Sequence, residues 1–487
     1  MKRATREELK KLIEISPEAV IDLIMALYDK IEEQGIEIKK QGEKIKELEE
    51  RLNQNSQNTS KPPSKDRFKV IRKKKETKNT NGKKTKKGTK KPLQMVAEPD
   101  ERVELKLNKC PECGCNLEAE ALREIEKRQE IDIQIKVITT QYEAEKKHCP
   151  NCKKTRTAAF PQNVKARIQY GETVRAMTVY LTEDNMISYN RVQRFFEDVA
   201  GLGISQSTLV NINRELSEQL EEALAEIKKR IKESPVVGFD ETGMRKKLKI
   251  EWLHTAATEK LTCLHIDDKR GKEGTDRAGI LPEYAGTAIH DFWKTYESYG
   301  KCAHAYCNAH IIRELRAAEE RTGQPWCTNM KNLLKSAYKD KKNGKQKGKR
   351  MSLEKKRFYA DRYDTFIQMG HSQIPPPEKG KKKRGRTKKS KELNLLLRLE
   401  NHKDGILAFM YDDKIPFDNN IAERSFRMAK VKDKVSGAFR GAGDVFFAAI
   451  RSFTDSARKN GLNIFEALRF CFRGFSPLLI VNALFSS

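Results

Sequence analysis

Residues 415–427 read IPFDNNIAERSFR. Pro416 stands just ahead of Asp418, Asn419 and Asn420, residue types that turn a chain and cap a helix. The following IAERSFRMAK contains neither Gly nor Pro and predicts a helix. On that helix Asn419, Glu423, Arg427 and Lys430 share one face, while Ile421, Ala422, Phe426 and Ala429 make an apolar flank. A carboxylate, Glu423, is therefore expected on the first or second turn of a packed helix, beside Arg424 and Arg427. Alone it reads as a surface Glu in a salt bridge. Its meaning depends on which other acids the fold brings to it.

Upstream, residues 233–310 have strand character. SPVVGFDETG is an apolar run that ends in Asp240, Glu241 and Thr242. IEWLHTAAT and KLTCLHID follow as an expected antiparallel hairpin, with Asp267 and Asp268 in its turn. GTAIHDFWKTY repeats the first pattern and ends in Asp291, and AHAYCNAHIIREL reads as strand, then Cys307-x-x-His310, then helix. Acids at strand ends gather on one edge of a sheet. Asp240, Asp291 and Glu423 gathered there would suit hard divalent ions such as Mg²⁺ or Mn²⁺. Two such ions can activate a water or hydroxyl at a phosphodiester. Glu241, next along the strand, should point to the other face, and Asp418 reads better as a helix cap. Cys307 and His310 leave two readings open: metal ligands, or packing and substrate positioning at a helix start.

The 487 residues suffice for about three domains. The formal net charge is +29, and it is unevenly spread. Residues 61–95 hold fifteen Lys and Arg against Asp66 and Glu76, and residues 379–391 hold nine with no acid. Such runs are solvated arms suited to a polyanion, nucleic acid first. No signal peptide is visible, and the C-terminal apolar run 477–485 is too short to span a bilayer. A cytoplasmic, nucleoid-associated protein is expected, with its ten cysteines as reduced thiols or metal ligands.

Residues 17–53 predict one long helix. Ile24, Ile31, Ile38, Ile45 and Leu52 recur every seven positions, with Leu27, Gln34, Gln41 and Leu48 three residues after the first four. That seam predicts a self-associating coiled coil, the alternative being an amphipathic helix packed on its own domain. Cys110-Pro-Glu-Cys113 and Cys149-Pro-Asn-Cys152 are matched C-x-x-C knuckles, with Ile131, Ile133, Ile135 and Val137 alternating between them as in a strand. They describe a zinc ribbon whose four thiolates would hold one structural Zn²⁺, with Cys115 and His148 as adjacent spares. In residues 166–232 a helix bearing Val192, Phe195, Phe196 and Val199 meets a Gly201–Gly203 turn. A second helix follows, capped by Ser205. The outline is that of a helix-turn-helix, and equally of any helical hairpin. Arg191, Arg194 and Arg214 would contact a DNA backbone.

On these motifs the chain resembles the insertion-sequence-66 family of DDE transposases over nearly its whole length. NTSKPPSKD resembles the family's linker, CPEC and CPNC its zinc-binding domain, and GFDET, CNAHIIREL and DNNIAERSFR its catalytic motifs. The resemblance implies a multidomain α+β and α/β chain. Its parts are a coiled-coil segment (1–53), a basic linker (54–100), a zinc ribbon (101–165), a helix-turn-helix-like region (166–232), a ribonuclease H-like catalytic domain (233–460, with a helical insertion at about 313–400) and a tail (461–487). It implies Asp240, Asp291 and Glu423 as catalytic ligands of two Mg²⁺ or Mn²⁺ ions, with Cys307, His310, Arg424 and Arg427 as accessories. The expected partners are the element's terminal inverted repeats, target DNA, further copies of the chain and small accessory proteins of the same element, with no membrane. The competing readings are a non-catalytic zinc-containing DNA-binding regulator and an architectural protein that bundles DNA.

Overall fold

The computed structural model describes residues 5–54, 93–374, 389–441 and 443–485. The basic run 61–95 and the run 379–391 lie almost wholly outside them. Among the described residues, no helix is long and apolar enough to cross a membrane.

A short helix, Arg6–Ile15, precedes a 37-residue helix, Pro17–Asn53. Pro17 takes the first turn, where its missing N–H costs nothing, and Ser16 caps it by accepting from the Ala19 N–H at 3.4 Å. Gly35 and Gly42 do not interrupt this helix. Ile24, Ile31, Ile38, Ile45 and Leu52 are exposed along it.

Each cysteine pair forms its knuckle. Gly114 N–H bonds to the Cys110 carbonyl at 2.9 Å, and Lys153 N–H to the Cys149 carbonyl at 3.0 Å. The second knuckle is closed by an antiparallel hairpin of β1 (Lys146–His148) and β2 (Thr155–Thr157). The strand expected over residues 131–137 does not form. Ile131, Ile133, Ile135 and Val137 are exposed, because the alternation meets neither a pairing strand nor a core among the described residues.

The main sheet has five strands in the order β5-β4-β3-β6-β7. These are β3 (Val236–Lys246), β4 (Lys249–Ala257), β5 (Thr262–Asp267), β6 (Thr287–His290) and β7 (Ala303–Tyr306). β3, β4 and β5 form an antiparallel meander, while β6 lies parallel to β3 and β7 parallel to β6. Alternation along β3 sends Val237 and Phe239 into one core. That core also holds Leu209 and Leu216 of helix Gln206–Gln219, and Phe453 and Leu468 near the C-terminus. Residues 461–485 are thus no tail: helices Ile464–Phe472 and Pro477–Ala483 bury Leu468, Phe472 and Val481. The helical region 172–233 shares this core with the sheet. Ile289, Ala305 and Tyr306 face a second core formed by the helices between Asn308 and Tyr411, which includes the fully buried Trp326.

Helix Gly443–Lys459 closes the sheet edge. Ser452 and Ser456, one turn apart, accept the N–H groups of Leu264 and Thr262 on β5 at 2.9 and 3.0 Å. Those alternate donors are the ones an edge strand leaves unpaired. The same helix is tied to the segment Tyr180–Asp184 by ion pairs: Asp184 meets buried Arg451 and half-exposed Arg458, each at 2.6 Å.

The stretch 415–427 docks on the sheet through Asn419. Its Nδ2 donates to the Phe239 carbonyl at 2.7 Å, and its backbone N–H donates to Cys307 Sγ at 3.2 Å. Gly238 makes room, since a Cβ there would overlap Asn419 Oδ1 and stand 3.5 Å from Ala422 Cβ. The expected single helix is broken at Phe426 (φ −95°, ψ 1°) into Asn420–Ser425 and Arg427–Ser436, so Lys430 does not continue the Glu423 face.

Two substitutions test this docking. Gly238→Ala should cost about 1–3 kcal/mol from overpacking. Asn419→Ala should cost about 1–3 kcal/mol by orphaning the buried Phe239 carbonyl. Denaturant melts should show both, with closely similar m values.

Candidate active site

Three carboxylates come together by separate routes. The parallel register pairs Gly238 with Ile289, so two residues further along each strand stand Asp240 and Asp291. Trp293 N–H donates to Asp291 Oδ1 at 2.9 Å, and Glu241 N–H to Asp240 Oδ1 at 2.8 Å. Glu423 arrives on the helix that Asn419 fixes against β3. Burial raises the pKa of all three. Asp240 is driven well above the carboxylate range by burial first, then by the charges of Glu241, Asp291 and Glu423. Such mutual repulsion in a poorly solvated place is the electrostatic signature of a cation site.

Glu241 departs from its expected remoteness. Alternation does send it away, to Tyr296 (OH to Oε2, 2.6 Å) and Arg270 (2.7 Å). Its charge nonetheless weighs on Asp240, and Asp291 weighs on it. Arg270 in turn lies over two indoles, 4.9 Å from Trp252 and 4.7 Å from Trp293. Of the other acids, Asp267 is tied to Arg277, which holds it below the carboxylate range, and so lies outside the cluster's electrostatics. Asp418 Oδ1 accepts from the Asn420 N–H at 3.2 Å, a local turn rather than the helix cap expected of it, since Asn419 takes the N-cap position.

Around Glu423 stand Arg313, 3.7 Å from Oε1, and His310, whose Nδ1 is 3.8 Å from the same oxygen. Burial lowers His310 to about 4, so its ring is neutral at pH 7. Cys307 is buried, and its thiol is pushed up to about 12. Among the described residues, Cys307, His310 and Glu423 are the trio whose ligand atoms all lie within 4.8 Å of one another. The Asp240, Asp291 and Glu423 cluster is wider. Arg424 and Arg427 are exposed, and Arg427 still tempers Glu423.

The sequence reading missed Asn419 as a clamp, because its position suggested a cap. It also missed Arg270, Tyr296 and Arg313, which carry no motif.

Elsewhere, each knuckle turns backbone N–H groups onto a sulfur: those of Cys113 and Glu112 lower Cys110, and those of Cys152 and Asn151 lower Cys149. The four sulfurs are not gathered into one cluster. Helices Tyr189–Ala200 and Gln206–Gln219 meet through Gly201 (φ 60°) and the Ser205 cap, with Arg191, Arg194 and Arg214 exposed.

The raised acids set a pH dependence. A carboxylate whose folded pKa exceeds its unfolded one keeps its proton longer when folded. Stability is therefore greatest below the unfolded value near 4, and falls as pH rises toward the raised one. The metal-free protein should lose stability across that window. Asp240→Asn should flatten the loss and raise the neutral-pH melting temperature by roughly 2–4 °C, the shift that about 1 kcal/mol gives in a domain of this size. Calorimetry across pH checks both.

Comparison with known proteins bears on this geometry. Residues 167–444 match the family described as Transposase IS66 family, a span that includes all three acids, Cys307 and His310. Residues 3–94 match a family of unknown function (DUF6444). No curated protein matches. With more than half of its length matched, the chain belongs to the IS66 transposase family.

Proposed function

We propose that the chain is a DDE transposase that binds the ends of its own element, cuts there and joins the freed ends to target DNA. The observation that carries this reading is the buried acid cluster of Asp240 on β3, Asp291 beyond β6 and Glu423 on the docked helix, in which Asp291 and Glu423 raise Asp240 and Asp291 raises Glu423. The strand order, with β3 central, Asp240 midway along it and Asp291 just past the end of the neighbouring β6, supports a ribonuclease H-like reading in which helices 308–411 are an insertion.

The residues fit hard divalent ions: the donors are three carboxylates, close enough that the charges of Asp291 and Glu423 act on Asp240. Bound between Asp240, Asp291 and Glu423, two Mg²⁺ or Mn²⁺ ions would supply Lewis-acid activation of the attacking hydroxyl and charge neutralisation at the phosphodiester. The protein's own part is orientation. Trp293 N–H fixes Asp291, Glu241 N–H fixes Asp240, and Arg313 with Arg427 holds Glu423. Arg270 and Arg398 bring positive charge to Asp291, where a phosphate can be met. A water first frees a 3′-hydroxyl, which then attacks target DNA, so no covalent protein–DNA intermediate is required.

The remaining parts follow the same reading. The two knuckles would close on one structural Zn²⁺, which would draw their four sulfurs together; in each, one thiol, Cys110 or Cys149, is already lowered. Arg191, Arg194 and Arg214, exposed around the helical turn, would grip the DNA backbone. The exposed seam Ile24 to Leu52 would pair copies of the chain on nucleoid DNA in the cytoplasm.

Asp240→Asn, Asp291→Asn and Glu423→Gln should each reduce strand cleavage and joining at least ~100-fold while element-end binding changes little, since binding rests on distant cations. Asp418→Asn preserves its turn and should retain most activity. Gel assays of cleavage and binding decide it, and activity in all three triad variants would refute the DDE reading. Cys113→Ser or Cys149→Ser should remove one equivalent of Zn²⁺ from the purified protein, measured by metal analysis.

A further inference from the structure

Cys307 and His310 play no part in the acid cluster as derived. Cys307 is the N-cap of the 15-residue helix Asn308–Thr322, and His310 follows one turn later. Cys307 Sγ, a ring nitrogen of His310 and a carboxylate oxygen of Glu423 lie within 4.8 Å of one another. His310 Nδ1 and Glu423 Oε1 are both buried with no hydrogen-bond partner, 3.8 Å apart. That gap is too long for a hydrogen bond. Arg313, 3.7 Å from the same Oε1, offers charge but no hydrogen bond, so both buried atoms remain available to a metal ion.

We propose that Cys307, His310 and Glu423 bind a divalent transition-metal ion, Zn²⁺ foremost, at a site distinct from the ions of the acid cluster. The donor set of one thiolate, one imidazole and one carboxylate suits Zn²⁺, leaving a fourth position for water, and it does not suit Mg²⁺. On binding, the S–H bond of Cys307 gives way to a sulfur–metal bond and the proton goes to solvent. Burial disfavours that thiolate in the metal-free protein, and two local features work the other way. The helix N-terminus favours negative charge on Cys307, and Asn419 N–H already donates to Sγ at 3.2 Å. The ion ties the start of helix Asn308–Thr322 to helix Asn420–Ser425 and fixes Glu423 through Oε1. Oε2 is left to the acid cluster, a consequence that rests on the transposase reading, whereas the site itself does not.

The test uses the full-length chain carrying Cys113→Ser and Cys152→Ser, which silence the knuckles. Co²⁺ titration should give one equivalent with a thiolate-to-cobalt charge-transfer band, lost on adding Zn²⁺ and indifferent to excess Mg²⁺. Cys307→Ser should abolish the band, and His310→Gln should weaken Co²⁺ binding at least tenfold without changing the far-UV circular dichroism. If Cys307→Ser fails to fold, His310→Gln decides. No band in the parent, or an unchanged titration in His310→Gln, overturns the site. A chain that binds Co²⁺ as expected yet never cuts DNA would instead fail the transposase reading.

Discussion

The structure around the acids depends on one close approach, that of Asn419 to β3 at Gly238. Any side chain at 238 would occupy the place of the Asn419 amide. With glycine there, Asn419 reaches the Phe239 carbonyl and presents its own N–H to Cys307. Three segments far apart in the chain, GFDET, CNAH and DNNIAER, are thereby joined within one hydrogen-bonded unit. Asn419 is 4% exposed, so these bonds form where unmade ones are costly. The position of Glu423, one turn along from Asn419, follows from that attachment.

What the attachment assembles is an electrostatically unfavourable place. Asp240, Asp291 and Glu423 are driven up by burial, and Glu241 adds a fourth charge that Arg270 and Tyr296 partly answer. Nearby cations offset part of that repulsion. Arg313 stands 3.7 Å from Glu423, and Arg270 and Arg398 act on Asp291 only through space. The surrounding packing bears the cost: one core joins the helices of residues 172–233, the sheet and the C-terminal helices, and another packs the helices between Asn308 and Tyr411.

Much of this was legible in the sequence wherever a local rule governs the outcome. The apolar runs before Asp240 and Asp291 form neighbouring parallel strands, although β3 continues past Asp240 to Lys246 because β4 pairs with it that far; Ser205 caps its helix, and each C-x-x-C folds into its knuckle. The misses have a common cause, which is that a partner distant in the chain overrides local preference. Asn419 has the chemistry of a cap but is claimed by β3. IAERSFRMAK has helical composition, yet breaks at Phe426, where docking on the sheet redirects the chain. Ile131 to Val137 alternates like a strand but has no neighbour to pair with. Residues 461–485 read as a tail because nothing local reveals the groove that Leu468 and Val481 fill.

The central claim is that Asp240, Asp291 and Glu423 form a single site for two divalent ions. Anomalous diffraction from crystals grown with Mn²⁺ and element-end DNA measures this directly. The account predicts two manganese peaks about 3.5–4 Å apart, with Asp240 touching both and Asp291 and Glu423 on either side. Manganese bound elsewhere, with none between Asp240 and Asp291, would contradict it.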